Sequence, residues 1–299
     1  MTEYTIDQYS KITDIPKINL RTWENRYGYL IPKRTSTNIR VYNDELLVRG
    51  LNTKLLLENG YKISKVSSMT PDEMKLAINT LKNSKNQITK INYYLNNFIV
   101  SAINFDEHQF NILFDKALKE FEFIELYKII ILPILQKIGI LWLTNQMSPS
   151  QEHFLSELIK QKMYSLIDQE SRNNLPSKEK WLLFLPENEF HEIGLLFAKY
   201  ILVSKNYKVI YLGDNLPIKT LNGVVEKHSI SHVLMFLLAN YSVKMAENYI
   251  KKCQEIFKSS TICAVTNYTK VKVDSSTSSR VKLIHDLDSF IGLLENPNI

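Results

Sequence analysis

Residues 18–28 read INLRTWENRYG, and residues 29–42 continue as YLIPKRTSTNIRVY. The segment TIDQYSKIT lies before them at residues 5–13, and the proline of DIPK separates the two, so the pattern predicts two short helices joined by a tight turn. The stretch after Gly28 has a proline, a polar centre and β-branched flanks, which is typical of two short strands around a loop. Together these patterns predict a winged helix-turn-helix.

Positive charge is concentrated in the same stretch. The chain of 299 residues has a formal net charge of +6, and between residues 21 and 40 only Glu24 opposes a run of cations: Arg21, Arg26, Lys33, Arg34 and Arg40. A local cluster of this kind is the electrostatic footprint of a polyanion-binding surface. The alternative interpretation is a solvated basic face on a helical domain.

A helix that reads DNA needs side chains that donate to base edges and phosphates. The predicted second helix supplies Arg21, Thr22, Asn25, Arg26 and Tyr27. The predicted wing supplies residues that can grip the adjoining backbone: Lys33, Arg34, Asn38, Arg40 and Tyr42. A single aromatic residue at helical spacing is more often core than contact, so we expect Trp23 to pack beneath this helix.

The rest of the chain predicts two further domains, which makes the fold class multidomain α and α/β. After the DNA-binding domain (residues 1–70), a polar segment up to residue 86 predicts a helical or mobile linker. Residues 87–175 show the apolar spacing of four helices, which predicts a four-helix bundle. Residues 177–299 alternate short apolar runs with helical stretches, which predicts a doubly wound parallel sheet of the Rossmann-like type.

The ordered strings NLRTWENRYG, PKRT and NIRVY resemble the MerR family of transcriptional regulators, and within it the cobalamin-dependent light-responsive repressors of the CarH/LitR type. This resemblance covers about the first seventy residues. It implies binding to double-stranded DNA, with the basic helix in the major groove.

A second motif follows the apolar run WLLFL. Residues 186–194 read PENEFHEIG, which sets His191 on a loop at the carboxyl end of a predicted parallel strand, where ligands bind in such sheets. Glu189, His191 and Gly194 resemble the D-x-H-x-x-G motif of cobalamin-binding Rossmann modules, with Glu in place of Asp. The resemblance implies that His191 is the lower ligand of cobalt and that Glu189 orients its ring.

The predicted bundle carries a further match to these repressors. Trp142 is followed ten residues later by Glu152 and His153, which the resemblance places over the upper face of adenosylcobalamin. In the best-known photoreceptors of this type a histidine directly follows the tryptophan and captures cobalt after photolysis, but this chain has Leu143 there. Leucine has no lone pair to donate, so we expect no bis-histidine adduct.

The resemblance weakens on the later strands. Where such modules have S-x-L and G-G, which make room for the nucleotide tail, this chain reads FLLAN from Phe236 to Asn240 and AVTNYT from Ala264 to Thr269, with Thr266 and Asn267 in place of the glycine pair. Phe236 could therefore narrow the tail slot. Two alternatives stay open: a cofactor-independent regulator that uses this module for protein contacts, and a corrinoid methyl carrier.

Cysteine content and hydropathy indicate the compartment. Cys253 and Cys263 show no metal-ligand spacing, no signal peptide is recognisable, and the longest apolar stretches contain polar breaks. We therefore expect a cytoplasmic protein with no membrane partner. No catalysis is required of it, and self-association to a dimer or tetramer is expected because symmetric proteins match palindromic sites.

Overall fold

The computed structural model describes residues 3–143, 148–173, 179–238, 241–272 and 278–295. The chain forms two compact units, residues 1–158 and 159–299. None of the helices within the described residues has the length and apolar character needed to cross a bilayer.

The first unit begins with a winged helix-turn-helix. Its elements are β1 (Glu3–Thr5), α1 (Ile6–Thr13), α2 (Lys17–Tyr27), β2 (Lys33–Arg34), β3 (Arg40–Asn43), α3 (Asp44–Glu58), α4 (Ile63–Val66) and α5 (Pro71–Leu81). A capping box between Thr5 and Gln8 starts α1, and α2 ends at Gly28, whose φ of 58° lies in the left-handed region that glycine tolerates. The predicted helices and wing strands are confirmed.

The wing contains one strand more than the sequence predicted. The short strand β1 pairs antiparallel with β3, and β2 pairs with the other edge of β3, in the order β1-β3-β2. This pairing sets Tyr4 opposite Tyr42. The Tyr42 ring then stacks on Tyr9 of α1, with 4.2 Å between ring centroids, so that the wing shares one core with the first helix.

The polar segment after residue 70 is helical and packed. A capping box between Thr70 and Glu73 starts α5, and its apolar side buries Met74, Ile78 and Leu81. The helix lies against α3. Of the two predicted forms of this segment, helical or mobile, the structure has the helical one.

The helical region comprises α6 (Gln87–Ile103), α7 (Glu107–Glu120), α8 (Phe123–Leu126), a π-helical turn (Tyr127–Ile131), α9 (Leu132–Leu143) and α10 (Pro149–Asn173). The segment LYKIIILPILQKIGILW, residues 126–142, carries the apolar spacing of one of the four predicted helices. The π turn has a physical cause in Pro133, because proline lacks the backbone N–H and its ring crowds the carbonyl four residues earlier.

Helix α6 joins this region to the winged helix-turn-helix. Asn96 donates to Asn52 Oδ1 of α3 at 2.8 Å, and Thr89 donates to Asn59 Oδ1 at 2.8 Å. Because Asn96 is only 8% exposed, its amide bond lies inside the contact. The DNA-binding elements and α6 are therefore packed together within the first unit.

The second unit is a five-stranded parallel sheet with helices. Its elements are β4 (Lys180–Phe184), α11 (Glu192–Ser204), β5 (Lys208–Tyr211), a 3-10 turn (Ile218–Leu221), α12 (Asn222–Val225), β6 (His232–Leu237), α13 (Val243–Ile256), β7 (Thr261–Thr266), a 3-10 turn (Ser278–Arg280), β8 (Val281–Ile284) and α14 (Leu287–Glu295). The strand order β5-β4-β6-β7-β8 confirms the predicted doubly wound sheet. The order reverses between β4 and β6, which is where such sheets open a crevice for ligands at the carboxyl ends of their strands.

Candidate functional site

The exposed face of α2 carries donors at adjacent helical positions. Arg21, Thr22, Asn25 and Arg26 are exposed, whereas Leu20 and Trp23 are buried on the opposite side. The expectation that Trp23 packs beneath the helix is confirmed, since it is 7% exposed. The Thr22 hydroxyl donates to the carbonyl of Ile18 at 2.8 Å, which leaves its oxygen free to accept. This face presents the donor groups of Arg21, Asn25 and Arg26 to solvent.

Glu24 attaches the wing to α2. Its Oε2 accepts from Arg40 Nε at 2.7 Å and its Oε1 from Arg34 Nη2 at 2.9 Å. Burial acts to raise the pKa of Glu24, but the hydrogen bonds and charges of Arg40 and Arg34 outweigh it and lower that pKa. The sequence marked Glu24 only as an opposing charge. Its isolation among five cations was the signal for a bridging role.

The tip of the wing is a tight turn. The amide of Asn38 donates to the Thr35 carbonyl at 2.9 Å, and Asn38 has a φ of 64°, in the left-handed region that asparagine tolerates better than most residues. Asn38 Oδ1 accepts from Arg34 Nη1 at 2.9 Å. Asn38 therefore holds the turn and Arg34, while Lys33 stays exposed at its base.

Tyr42 was a wrong prediction. Its side chain is 0% exposed, packed on Tyr9, and burial raises its pKa to about 12. A residue enclosed in this way has no surface for DNA, so Tyr42 is part of the core. Tyr27 is half-buried, and the Arg26 guanidinium lies over its ring at 5.3 Å from the centroid.

In the second unit, Glu189 organises the loop that carries His191. Glu189 is 0% exposed, and its Oε1 accepts from the Phe190 amide at 3.0 Å and the His191 amide at 3.3 Å. The same oxygen lies 2.5 Å from His191 Nδ1. Its Oε2 accepts from the Leu238 amide at 2.8 Å. One buried carboxylate thus ties the loop after β4 to the end of β6.

This arrangement fixes the chemistry of the His191 ring. Because Nδ1 donates to the Glu189 carboxylate, the lone pair of the ring is on Nε2. The His191 side chain is 52% exposed. A histidine held this way at its second nitrogen is the arrangement found for metal-ligating imidazoles. No cluster of three or more histidine, cysteine or acidic side chains with metal-site geometry occurs among the described residues.

The neighbouring space beside α11 is filled. A Cβ added to Gly194 would lie 2.7 Å from Cε2 of Phe236, so the phenyl ring rests on the glycine backbone. Phe236 is 7% exposed. The structure thus gives Gly194 a packing reason of its own, besides the motif.

Aromatic residues also occupy the loops after β6 and β7. The Tyr241 hydroxyl donates to the carbonyl of Glu187 at 3.0 Å, and the Tyr268 hydroxyl donates to the carbonyl of Tyr241. Thr266 is buried, and its hydroxyl accepts from the Tyr268 amide at 3.2 Å. These bonds connect the loop that contains Asn267 with the His191 loop. These bonds could not be predicted from the sequence, because the partners are far apart in the chain.

A third group, also missed by the sequence, surrounds Glu192 in the first turn of α11. Glu192 Oε1 accepts from the Tyr211 and Tyr164 hydroxyls, each at 3.1 Å, and Oε2 pairs with Lys160 Nζ at 3.2 Å. Burial, followed by the charge of Glu192, raises the pKa of Tyr211 and Tyr164. Both tyrosines stay neutral donors, so this network holds the helix start that follows His191.

The predicted upper-face residues lie in the first unit. Glu152 and His153 occupy the first turn of α10, with Glu152 Oε1 accepting from Ser156 Oγ at 2.7 Å and the His153 side chain 74% exposed. Next to them, Gln151 is 1% exposed and donates to Asp44 Oδ1 at 3.4 Å. Trp142 and Leu143 belong to the last turn of α9, but their side chains lie outside the described residues.

Comparison with known proteins gives family matches in the winged helix-turn-helix and in the helical region that follows it. Residues 4–73 match the family model of the MerR HTH family of regulatory proteins, and residues 94–167 match that of a B12 binding domain. The chain is 24% identical over 225 residues to the HTH-type transcriptional repressor CarH of Myxococcus xanthus, covering 74% of each protein. It is 27% identical over 217 residues to the HTH-type transcriptional repressor CarA of the same organism, covering 72% of this chain and 69% of that one.

A solved structure shares the fold of the C-terminal part. The Methanosarcina barkeri monomethylamine corrinoid protein aligns with a TM-score of 0.51 at 13% identity, covering 68% of this chain and 97% of that one. At this identity the likeness concerns the fold alone. It agrees with the parallel five-stranded sheet described above.

Proposed function

We propose that this chain is a sequence-specific DNA-binding transcription regulator. It is a homologue of the CarH and CarA repressors, with a MerR HTH domain and a B12 binding domain. Its C-terminal module binds a corrinoid and thereby controls self-association and DNA binding. The observation that carries the proposal is the combination of an exposed basic helix with a histidine held by a buried carboxylate at a switch point of a parallel sheet. No catalytic step is part of it.

On DNA, α2 would enter the major groove and the wing would follow the backbone. Arg21, Asn25 and Arg26 have the planar donor groups that pair with base edges. Lys33 and the remaining N–H groups of the Arg34 guanidinium would contact phosphate, with Arg34 oriented by its bonds to Glu24 and Asn38. A dimer or tetramer would match a palindromic operator.

In the sensor module, His191 Nε2 is the group that fits the lower face of a corrinoid, because Nδ1 is committed to Glu189. When bound, adenosylcobalamin would supply a light-labile cobalt–carbon bond. Trp142, Glu152 and His153 are the residues proposed for the adenosyl side, by resemblance. Since Leu143 cannot ligate cobalt, no bis-histidine adduct would form, and either light has no effect or photolysis acts through loss of the adenosyl contacts.

A cofactor-independent regulator is the second candidate, and the contact of Phe236 with Gly194 favours it. In that case the sheet would serve protein contacts alone. A methyl-carrier function is not favoured, because such a carrier has no use for the exposed basic face of α2 beside a wing.

The proposal is tested with the full chain and labelled duplexes selected from a random pool. Fluorescence anisotropy across a salt series should show binding that weakens with salt, because the cations displace counterions from phosphate. Arg21→Ala should relax preference at one base position by ~1–3 kcal/mol, whereas Lys33→Ala should weaken binding to all sequences. Unchanged binding in both variants would remove the DNA-reading assignment. Mass measured by light scattering with and without corrinoid then tests control of assembly.

A further inference from the structure

The proposed corrinoid site has two halves, one preformed around His191 and the other filled by a protein side chain. The half that meets cobalt is preformed, since Glu189 is buried and accepts from both amides of the loop and from His191 Nδ1. His191 keeps about half of its side chain exposed. The buried carboxylate thus fixes the orientation of a partly exposed imidazole.

The half beside α11 is closed. The Phe236 ring fills the space between the end of β6 and Gly194, with its Cε2 2.7 Å from the position of an added Cβ. The ring is 7% exposed, so it is held on most sides. A planar group could enter between β6 and α11 only if Phe236 left this position.

An independent set of contacts closes the adjoining loops. Tyr241 bonds from the loop after β6 to the Glu187 carbonyl, and Tyr268 bonds from the loop after β7 to the Tyr241 carbonyl. Tyr241 is 9% exposed and packs edge-to-face on Tyr249, with 6.1 Å between centroids. Aromatic side chains thus stand where a tail slot would need small residues.

We propose that the His191 site binds a corrinoid that lacks the nucleotide tail, a cobinamide-class ligand, in preference to intact cobalamin, and that Phe236 sets this specificity. The inference rests on the proposed function, because it assumes that the module takes a corrinoid. Binding exchanges one ligand on cobalt: the Nε2–Co bond forms, and the water on the lower face leaves. Intact cobalamin would in addition have to detach its own base and house it beside Gly194.

The discrimination has an expected size. Making room for the tail displaces a buried phenylalanine ring, and the transfer free energy of such a side chain corresponds to about a 10- to 100-fold loss of affinity. Replacing Phe236 by serine removes the obstacle, whereas Phe236→Leu keeps most of the bulk. The serine variant should therefore gain affinity for cobalamin, and the leucine variant should gain little.

The experiment uses two corrinoids whose upper face is blocked by an adenosyl group, adenosylcobinamide and adenosylcobalamin, and measures their retention by the full chain in equilibrium dialysis in the dark, with visible absorbance of the bound form. Wild type should retain adenosylcobinamide with the spectral change of imidazole-for-water exchange, and His191→Ala should abolish that change. Adenosylcobalamin should bind at least about tenfold more weakly, and Phe236→Ser should narrow that difference.

Three results would count against the inference in different ways. If wild type binds both corrinoids equally with the same His191-dependent spectrum, the specificity is wrong and the proposed function stands. If neither corrinoid gives a His191-dependent change, the inference fails together with the corrinoid part of the proposed function. If Phe236→Ser folds and still rejects cobalamin, Phe236 is not the determinant. Should that variant fail to fold, the two affinities of the wild-type protein still show whether the site prefers the corrinoid without the nucleotide tail.

Discussion

Gly194→Ala should reveal whether the Phe236 ring occupies the place described. The new Cβ would lie 2.7 Å from Phe236 Cε2, whereas ordinary contacts of a Cβ begin at 3.4 Å, so about 0.7 Å of overlap must be relieved. Phe236 is enclosed and cannot swing away freely. Overpacking of this kind costs about 1–3 kcal/mol, offset by up to ~1 kcal/mol for alanine over glycine in a helix. A net loss of about 1–2 kcal/mol is expected.

The matched control is the same change in a Phe236→Ala background. Without the ring there is no overlap, so Gly194→Ala should there be neutral or stabilise by up to ~1 kcal/mol. The interaction free energy between the two positions should therefore be about 2 kcal/mol, well above the ~0.5 kcal/mol within which independent sites add. This difference between backgrounds is more informative than either single variant.

Urea unfolding measures these changes if the signal comes from the second unit. Trp181, 2% exposed in β4, becomes the only tryptophan when Trp23 and Trp142 are replaced by phenylalanine. Its fluorescence then reports the unfolding midpoint of the sheet. If Gly194→Ala changes stability equally in both backgrounds, the ring does not rest on Gly194, and the closed slot is wrong.

Three further predictions concern other sites. Glu24→Gln should destabilise the winged region by about 2 kcal/mol, since it breaks a charge-assisted bond to the mostly buried Arg40. Because the pKa of Glu24 is lowered in the folded state, this difference in stability from wild type should be present above about pH 4.3 and vanish as the pH falls through the folded pKa. Urea unfolding midpoints across this pH range measure it. Gln151→Met should be nearly neutral in thermal unfolding, since the bonds from Nε2 to Asp44 Oδ1 (3.4 Å) and to the Ile103 carbonyl (3.3 Å) are both long and the buried Oε1 has no partner among the described residues, whereas Gln151→Glu should cost more than about 2 kcal/mol; equal effects would contradict this. Burial lowers the pKa of His232, so the unfolded state binds more protons below about pH 6.5 and the stability of the fold decreases there. His232→Phe should therefore reduce the pH dependence of the urea midpoint between about pH 5 and 7. An unchanged pH dependence would show that His232 is not its cause.

The sequence by itself determined the elements whose signals are local. The helix-turn-helix follows from the proline between two short helical patterns and from Gly28, and the strand–helix alternation after residue 180 predicts the parallel sheet. The loop position of His191 after an apolar strand is also visible in the chain, and its pairing with Glu189 was implied by the resemblance of PENEFHEIG to the D-x-H-x-x-G motif. Arg21, Thr22, Asn25 and Arg26 were assigned to the DNA-reading helix by their donor groups, and Trp23 was assigned to the core by its aromatic character.

Tertiary structure decided everything that depends on distant partners. Strand β1 has three residues, too few to show a period, so the pairing of Tyr4 with Tyr42 and the burial of Tyr42 were not predictable from the chain. The bridging role of Glu24 exists only once the wing folds back on α2. Phe236 was visible in the sequence as a bulky residue, but its contact with Gly194 brings together two elements far apart in the chain, β6 and α11. Only packing, which acts across such separations, turns that bulk into a closed slot.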